Sequence, residues 1–248
     1  MAKQISLDAL WNSAIPEQRA FNPDDFVHLP EAARRYLEHA IAPGTALASA
    51  VRLKMHGEIK LKTWSPFTAE QVVCWQRGFI WSATAWMTRL PVVGSDRIID
   101  GTGSMQWKLL GLFPVMTGTG ADITRSSAGR FHTELTLLPS AFCLGDVTWG
   151  STDVAHLHAS FMAQGEQAEL DFTLDHTGQL KTAKLPRWGN PDGGEHRYVD
   201  FGAMIEEEST FSGYTIPTRL RVGWYFGSER FEPEGEFFRA TIDEAIYR

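Results

Sequence analysis

The chain has 248 residues, 43% hydrophobic and 21% charged, with a formal net charge of −7. That composition supplies a sizeable core, and its acidic balance argues against a general binder of phosphate backbones, which wants an excess of Lys and Arg. Two cysteines, Cys74 and Cys143, are too few for a disulfide framework in a chain this long.

The N-terminal stretch has no uninterrupted apolar run after Lys3 and carries acids at Asp8 and Glu17, so it does not fit a signal peptide. No segment approaches the roughly 18 apolar residues of a membrane-spanning helix. The expectation is a cytoplasmic protein with reduced thiols.

Residues 1–44 read as helical. Ser6-Leu7-Asp8-Ala9-Leu10-Trp11 opens a short helix. A second starts at Pro30, the residue type favoured at a first helical position. Its stripe of Leu29, Ala33, Tyr36, Leu37, Ala40 and Ile41 has helical spacing, and Pro43-Gly44 stops it. From Leu47 the period becomes two. Runs around 51–61, 72–83, 96–100 and 104–109, each bounded by Gly, Pro, Ser or Asp, have the pattern of an antiparallel meander. The segment 122–138 interrupts it. Asp122 is a good N-cap, and Ile123, Ser127, Phe131, Glu134, Leu135 and Leu138 recur at helical spacing until Pro139. Gly129 weakens that helix by roughly 1 kcal/mol relative to alanine.

Strands return at 154–161, 168–174 and 179–185. Two more flank the turn at 213–217, and 237–242 ends the sheet. No internal repeat or linker marks a boundary, so a single domain over 1–248 is expected, helical to residue 44 and β-sheet from 47. The fold class is α+β, β-dominated, because no βαβ alternation calls for a parallel sheet. Nine tryptophans, Trp224 among them, are spread through the chain. Large aromatics suit a pleated half-buried surface, and they also line concave apolar pockets.

Three phrases carry a resemblance spanning nearly the whole chain. They are 43–61 (Pro43-Gly44-Thr45, then Leu47 through Leu61), Arg187-Trp188-Gly189-Asn190-Pro191, and Gly213 through Gly227. They resemble a bacterial family of unknown function, which brings no established activity or catalytic residue. The order of N-terminal helix, strands, inserted helix and final strands also resembles the half-open barrel of Lol-type lipoprotein carriers, with its strand, glycine turn, proline and strand element at 210–220. That resemblance implies a curved sheet, open or half-barrel, whose apolar concave face is partly closed by the helix near 122–138.

The inserted helix carries Arg125, Arg130 and Glu134. Arg130 and Glu134 stand four residues apart and pair on a solvated surface, or the helix points an arginine at an anionic headgroup or carboxylate. Arg187 beside Trp188 staples a rim loop by stacking on an aromatic ring, or presents a binding group there. The period of two puts Glu207 with Ile205 and Phe211, away from Glu206 and Glu208. Cross-strand pairing with Arg219 and Arg221 is the simpler role. A Glu207 on an apolar concave face would instead have a raised pKa and serve in acid–base chemistry. His156 and His158 share a strand face opposite Leu157, Ala159 and Phe161, so they face solvent beside acidic neighbours, and no metal or cofactor is expected. The GxSxG elbow and the Walker phosphate loop are missing. The leading reading is a binder of a hydrophobic or lipid-like small molecule, with Arg125, Arg130, Glu134, Arg187, Trp188, Glu207 and Trp224 as candidate contacts. The alternatives are an enzyme using Glu134 or Glu207 with arginine stabilisers, and a protein-interaction module. The oligomeric state is left open.

Overall fold

The computed structural model describes residues 5–87 and 89–248; the first four residues of the expected helical segment 1–44 lie outside them. Helix α1 (Leu7–Ser13) starts where the Ser6 hydroxyl accepts the Ala9 N–H at 3.1 Å. Helix α2 (Glu31–Ala40) starts just after Pro30 and buries Ala33, Tyr36, Leu37 and Ala40, the stripe the spacing predicts. The two helices cover opposite faces of the sheet. Leu10 of α1 packs on Ala50, Val72, Cys74 and Ile80, whereas α2 joins the main core with Val51, Leu53, Val73 and Phe79. These two residue sets alternate along the same strands, so they point to opposite sides.

Six strands form the first arm: β1 (Ala50–Lys60), β2 (Trp64–Cys74), β3 (Gly78–Met87), β4 (Leu90–Ile99), β5 (Thr102–Leu109) and β6 (Phe113–Gly118). Helix α3 (Ala121–Glu134), a short 3-10 turn and α4 (Ala141–Leu144) intervene. The second arm is β7 (Thr148–Ser151), β8 (His156–Ala163), β9 (Glu166–Leu174), β10 (Leu180–Gly189), β11 (Arg197–Phe211), β12 (Tyr214–Trp224) and β13 (Glu236–Tyr247). All thirteen strands make one sheet in the order 6-5-4-3-2-1-13-12-11-10-9-8-7. Each arm is a meander of neighbours, and antiparallel pairing of β13 with β1 joins them. The sheet stays open, with β6 and β7 as its edges. None of the described helices is long and apolar enough to cross a membrane.

Helix α3 bridges the arms on the concave side, packing on β4 and β5 and on β9 and β10. It begins two residues earlier than the capping pattern predicts, with Gly120 in the cap at φ 99°. Asp122 therefore lies in the first turn, where its carboxylate accepts the Trp188 indole N–H at 2.8 Å. Two glycines allow the close approach. A Cβ on Gly103 of β5 would stand 2.6 Å from the Thr124 Cα, and one on Gly129 would stand 2.9 Å from the Arg187 Cγ. Gly129, read as a helix-weakening residue, makes room for an arginine. The Gly101 N–H also donates to Gln164 Oε1 at 2.9 Å, tying the β4–β5 turn to the β8–β9 turn.

On the convex side Arg221 and Arg239 stand directly opposite each other across β12 and β13, a repulsive pairing by itself. Glu236, with its side chain 2% exposed, holds both: Arg221 donates two bonds of 2.8 Å, and Arg239 donates one of 2.6 Å and a second of 3.3 Å. The Arg221 bonds lead in lowering the carboxyl to about 2 against the opposing effect of burial, with Arg239 adding to them. A carboxylate depressed from 4.5 to about 2 stabilises the fold fully above pH 4.5 and loses that contribution as pH falls to 2. The shift corresponds to on the order of 3 kcal/mol. The melting-temperature gap between the natural protein and Glu236→Gln is expected to be full at neutral pH and to shrink steadily as pH falls from 4.5 to 2. A gap independent of pH would contradict this assignment.

Candidate functional site

Cross-strand register places the concave side chains in rows. Leu53, Gln71, Trp81, Asp96 and Met105 run across β1 to β5 in one row. Ile59, Phe238, Val222 and Ala203 form another across β1, β13, β12 and β11. Between these rows and α3 lies a cavity of about 310 Å³. Its strand side is apolar, with Ala203, Ile205, Leu220, Val222, Phe238 and Ile242. Its other end carries Gln71, Asp96, Arg130, Glu134 and Arg187.

Arg130, Thr133, Glu134 and Leu137 line the cavity at helical spacing, so this stripe of α3 and the turn after it faces inward. The Arg130–Glu134 pair, at 2.7 Å, is thus largely buried rather than solvated. Arg130 Nη1 also donates to Asp96 Oδ2 at 3.0 Å, and its guanidinium lies over the Phe79 and Trp81 rings. The second oxygens of the two carboxylates are taken as well. Trp107 Nε1 donates to Asp96 Oδ1 at 2.8 Å, and Gln71 Nε2 donates to Glu134 Oε2 at 2.6 Å. Burial works against the Arg130 cation, but Glu134 and Asp96 outweigh it and hold the guanidinium above its ordinary range.

Arg187 is built differently. Its Nε donates to the Ser126 carbonyl at 2.9 Å and its Nη2 to the Ser126 hydroxyl at 3.3 Å. The guanidinium lies over Phe201 at 4.4 Å and Trp224 at 4.9 Å. Among the described residues no carboxylate pairs with it. Burial, reinforced by the Arg130 charge, pulls it down to about 9, so it remains a cation at neutral pH.

Four of the residues singled out from sequence meet at this cavity: Arg130, Glu134, Arg187 and Trp224. Arg125 lies outside its lining, paired with Glu166 at 3.2 Å and resting over Trp188 at 5.0 Å. Trp188 packs on Tyr198 and His196. The period of two aligns Glu207 with Ile205, but bulges on both sides of Glu207 break that alternation. Glu207 is consequently exposed and pairs with Arg219 at 3.1 Å, while Glu208 meets His39 at 2.6 Å. His158 lies half-exposed between Asp171 and Glu169 at 2.7 and 2.8 Å. Gln71, Trp81, Asp96 and Phe201 were not singled out. Asp96 and Ile98 share a strand parity with the apolar face, and that signal was available.

The profile of a family of unknown function, DUF6920, matches residues 27–247. No curated protein sequence matches the chain. Two solved structures are similar at TM-score 0.43. One is a Vibrio parahaemolyticus domain described as an outer membrane lipoprotein-sorting protein, 8% identical, covering 81% of this chain and 86% of that one. The other is a LolA superfamily protein from Nitrosomonas europaea, 10% identical, covering 88% and 92%.

Proposed function

The chain belongs to this family of unknown function, and we propose from its own geometry that it binds a small amphipathic molecule in the concave cavity. The observation carrying this is a cavity of about 310 Å³ whose wall passes from apolar strands to Arg187, a cation with no carboxylate partner among the described residues. Pockets of such size and lining, apolar with a few convergent polar groups, suit small-molecule ligands. The apolar part of the ligand lies along Ala203, Val222 and Phe238. Its polar end, an acceptor such as a carboxylate, takes the guanidinium N–H groups that Ser126 leaves free, those of Nη1 first. All four oxygens of Asp96 and Glu134 already accept hydrogen bonds, which favours holding a ligand over acid–base chemistry.

Filling the cavity tests the reading. Ala203 faces the cavity from the middle of β11, so Ala203→Trp adds its ring to empty space. Dansyl-undecanoic acid is expected to bind the natural protein with enhanced fluorescence, and Ala203→Trp to lose at least about tenfold in affinity while melting as the parent does. Equal binding by both would place the probe elsewhere and end this reading.

A further inference from the structure

Independently of the cavity, we propose that the hairpin ends of β3–β4 and β5–β6 dock on an anionic lipid surface. Every residue of β6 from Phe113 to Thr117 is exposed, although the strand reads Phe-Pro-Val-Met-Thr. With the preceding turn this leaves Leu110, Leu112, Phe113, Val115 and Met116 in solvent, Leu112 at 72% and Phe113 at 61% exposure. The β3–β4 hairpin adds Met87 and Leu90 at the same end. Met87 pairs with Leu90 there, Val92 pairs with Leu109, and the Leu110 N–H donates to the Pro91 carbonyl at 2.8 Å. A contiguous exposed apolar patch of this kind marks an interaction surface.

The charges around the patch select the occupant. Arg89 and Lys108 stand at this end, and Lys62 stands on the adjoining β1–β2 hairpin, where Lys60 donates to the Pro233 carbonyl between the exposed Glu232 and Glu234. Among residues 86–118 the carboxylates are Asp96 and Asp100. Asp96 turns inward to Arg130, and Asp100 pairs with Arg77 at the opposite end of β4. Apolar tips flanked by Arg89 and Lys108, with no carboxylate at this end of either hairpin, fit a surface offering acyl chains beneath anionic headgroups. A second copy fits poorly, because it would bring Arg89 and Lys108 against their own equivalents. Strand addition on β6 also meets Pro114, which has no N–H to donate. The apolar residues sit on a hairpin turn and the exposed edge strand after it rather than in a groove, which suits a fluid surface better than a shaped protein partner.

Co-sedimentation with vesicles tests this. The full chain is expected to pellet with phosphatidylcholine vesicles containing about one third phosphatidylglycerol, and several-fold less with phosphatidylcholine alone. Leu112→Ser/Phe113→Ser, both at exposed positions, should cut the partition by at least about tenfold. Arg89→Glu/Lys108→Glu leaves the apolar tips intact and should abolish the preference for anionic vesicles, so the proposal stays testable if the serine variant folds poorly. A natural protein that ignores both vesicle types overturns the proposal. So does sedimentation analysis showing a dimer that the serine variant dissolves, or vesicle binding that neither variant weakens.

Discussion

Arg130→Met is expected to destabilise the protein by about 3–5 kcal/mol, because it strands two largely buried carboxylates. Asp96 and Glu134 both rely on Arg130, at 3.0 and 2.7 Å, and their side chains are 23% and 16% exposed. Without the guanidinium they retain only the Trp107 and Gln71 donors while facing an apolar wall and each other's charge. In a chain of this size that cost lowers the melting temperature by about 6–20 °C. Neutralising the stranded acids should undo most of the loss. Arg130→Met combined with Asp96→Asn and Glu134→Gln leaves no stranded carboxylate, so it is expected to melt above the single variant. Thermal unfolding followed by circular dichroism reads both effects. A single variant that melts within a few degrees of the parent would show that water reaches the cluster and screens it.

The gross architecture was legible because it rests on local patterns. Ser6 and Pro30 marked the starts of α1 and α2, and the alternation in 168–174 survives as the buried Ala168, Leu170, Phe172 and Leu174 of β9. Period-two runs with no βαβ alternation led to one antiparallel sheet, and a mid-chain helix lies across its concave face. Short or irregular strands were less visible. β6 has no alternation to detect, since both its faces are exposed, and β7 has only four residues.

The site was legible only in part, because it reverses the usual meaning of an amphipathic helix. A polar stripe on a helix ordinarily faces water. In α3 the stripe containing Arg130 and Glu134 faces a cavity, and its partners lie far away in sequence, Gln71 and Asp96 on one arm and Arg187 on the other. Spacing within the helix found the Arg130–Glu134 pair without saying which medium surrounds it. Glu207 fails for a related reason. A period of two carries a residue's facing forward only until the first bulge, and bulges flank this residue.

Arg187→Met is expected to have the opposite sign from Arg130→Met: stability unchanged or raised by about 1 kcal/mol, with anionic ligand binding lost. Arg187 has no carboxylate that its removal would strand. The Ser126 carbonyl it contacts also belongs to the second turn of α3, where the backbone N–H of Arg130 serves it. Its charge is held at a cost: burial and the Arg130 cation pull it down to about 9, and the nearby Glu134 and Asp96 carboxylates offset only part of that. Methionine, shorter but flexible and apolar, replaces the packing of the arginine stem without that charge. Dansyl-undecanoic acid should then bind about 10- to 100-fold more weakly, the range expected for loss of a charge-assisted hydrogen bond, while the uncharged dansyl-undecanamide changes little. Arg187→Lys keeps the charge but not the planar fork that spans Ser126 and the two rings, so it should fall between the two. If acid and amide weakened equally, Arg187 would act by shaping the cavity rather than by its charge. If Arg187→Met melted far below the parent, the guanidinium would be a structural staple of α3 on β10. A stable variant that loses only the acid would mark the two arginines as distinct devices, one holding two buried carboxylates and the other left open for a ligand.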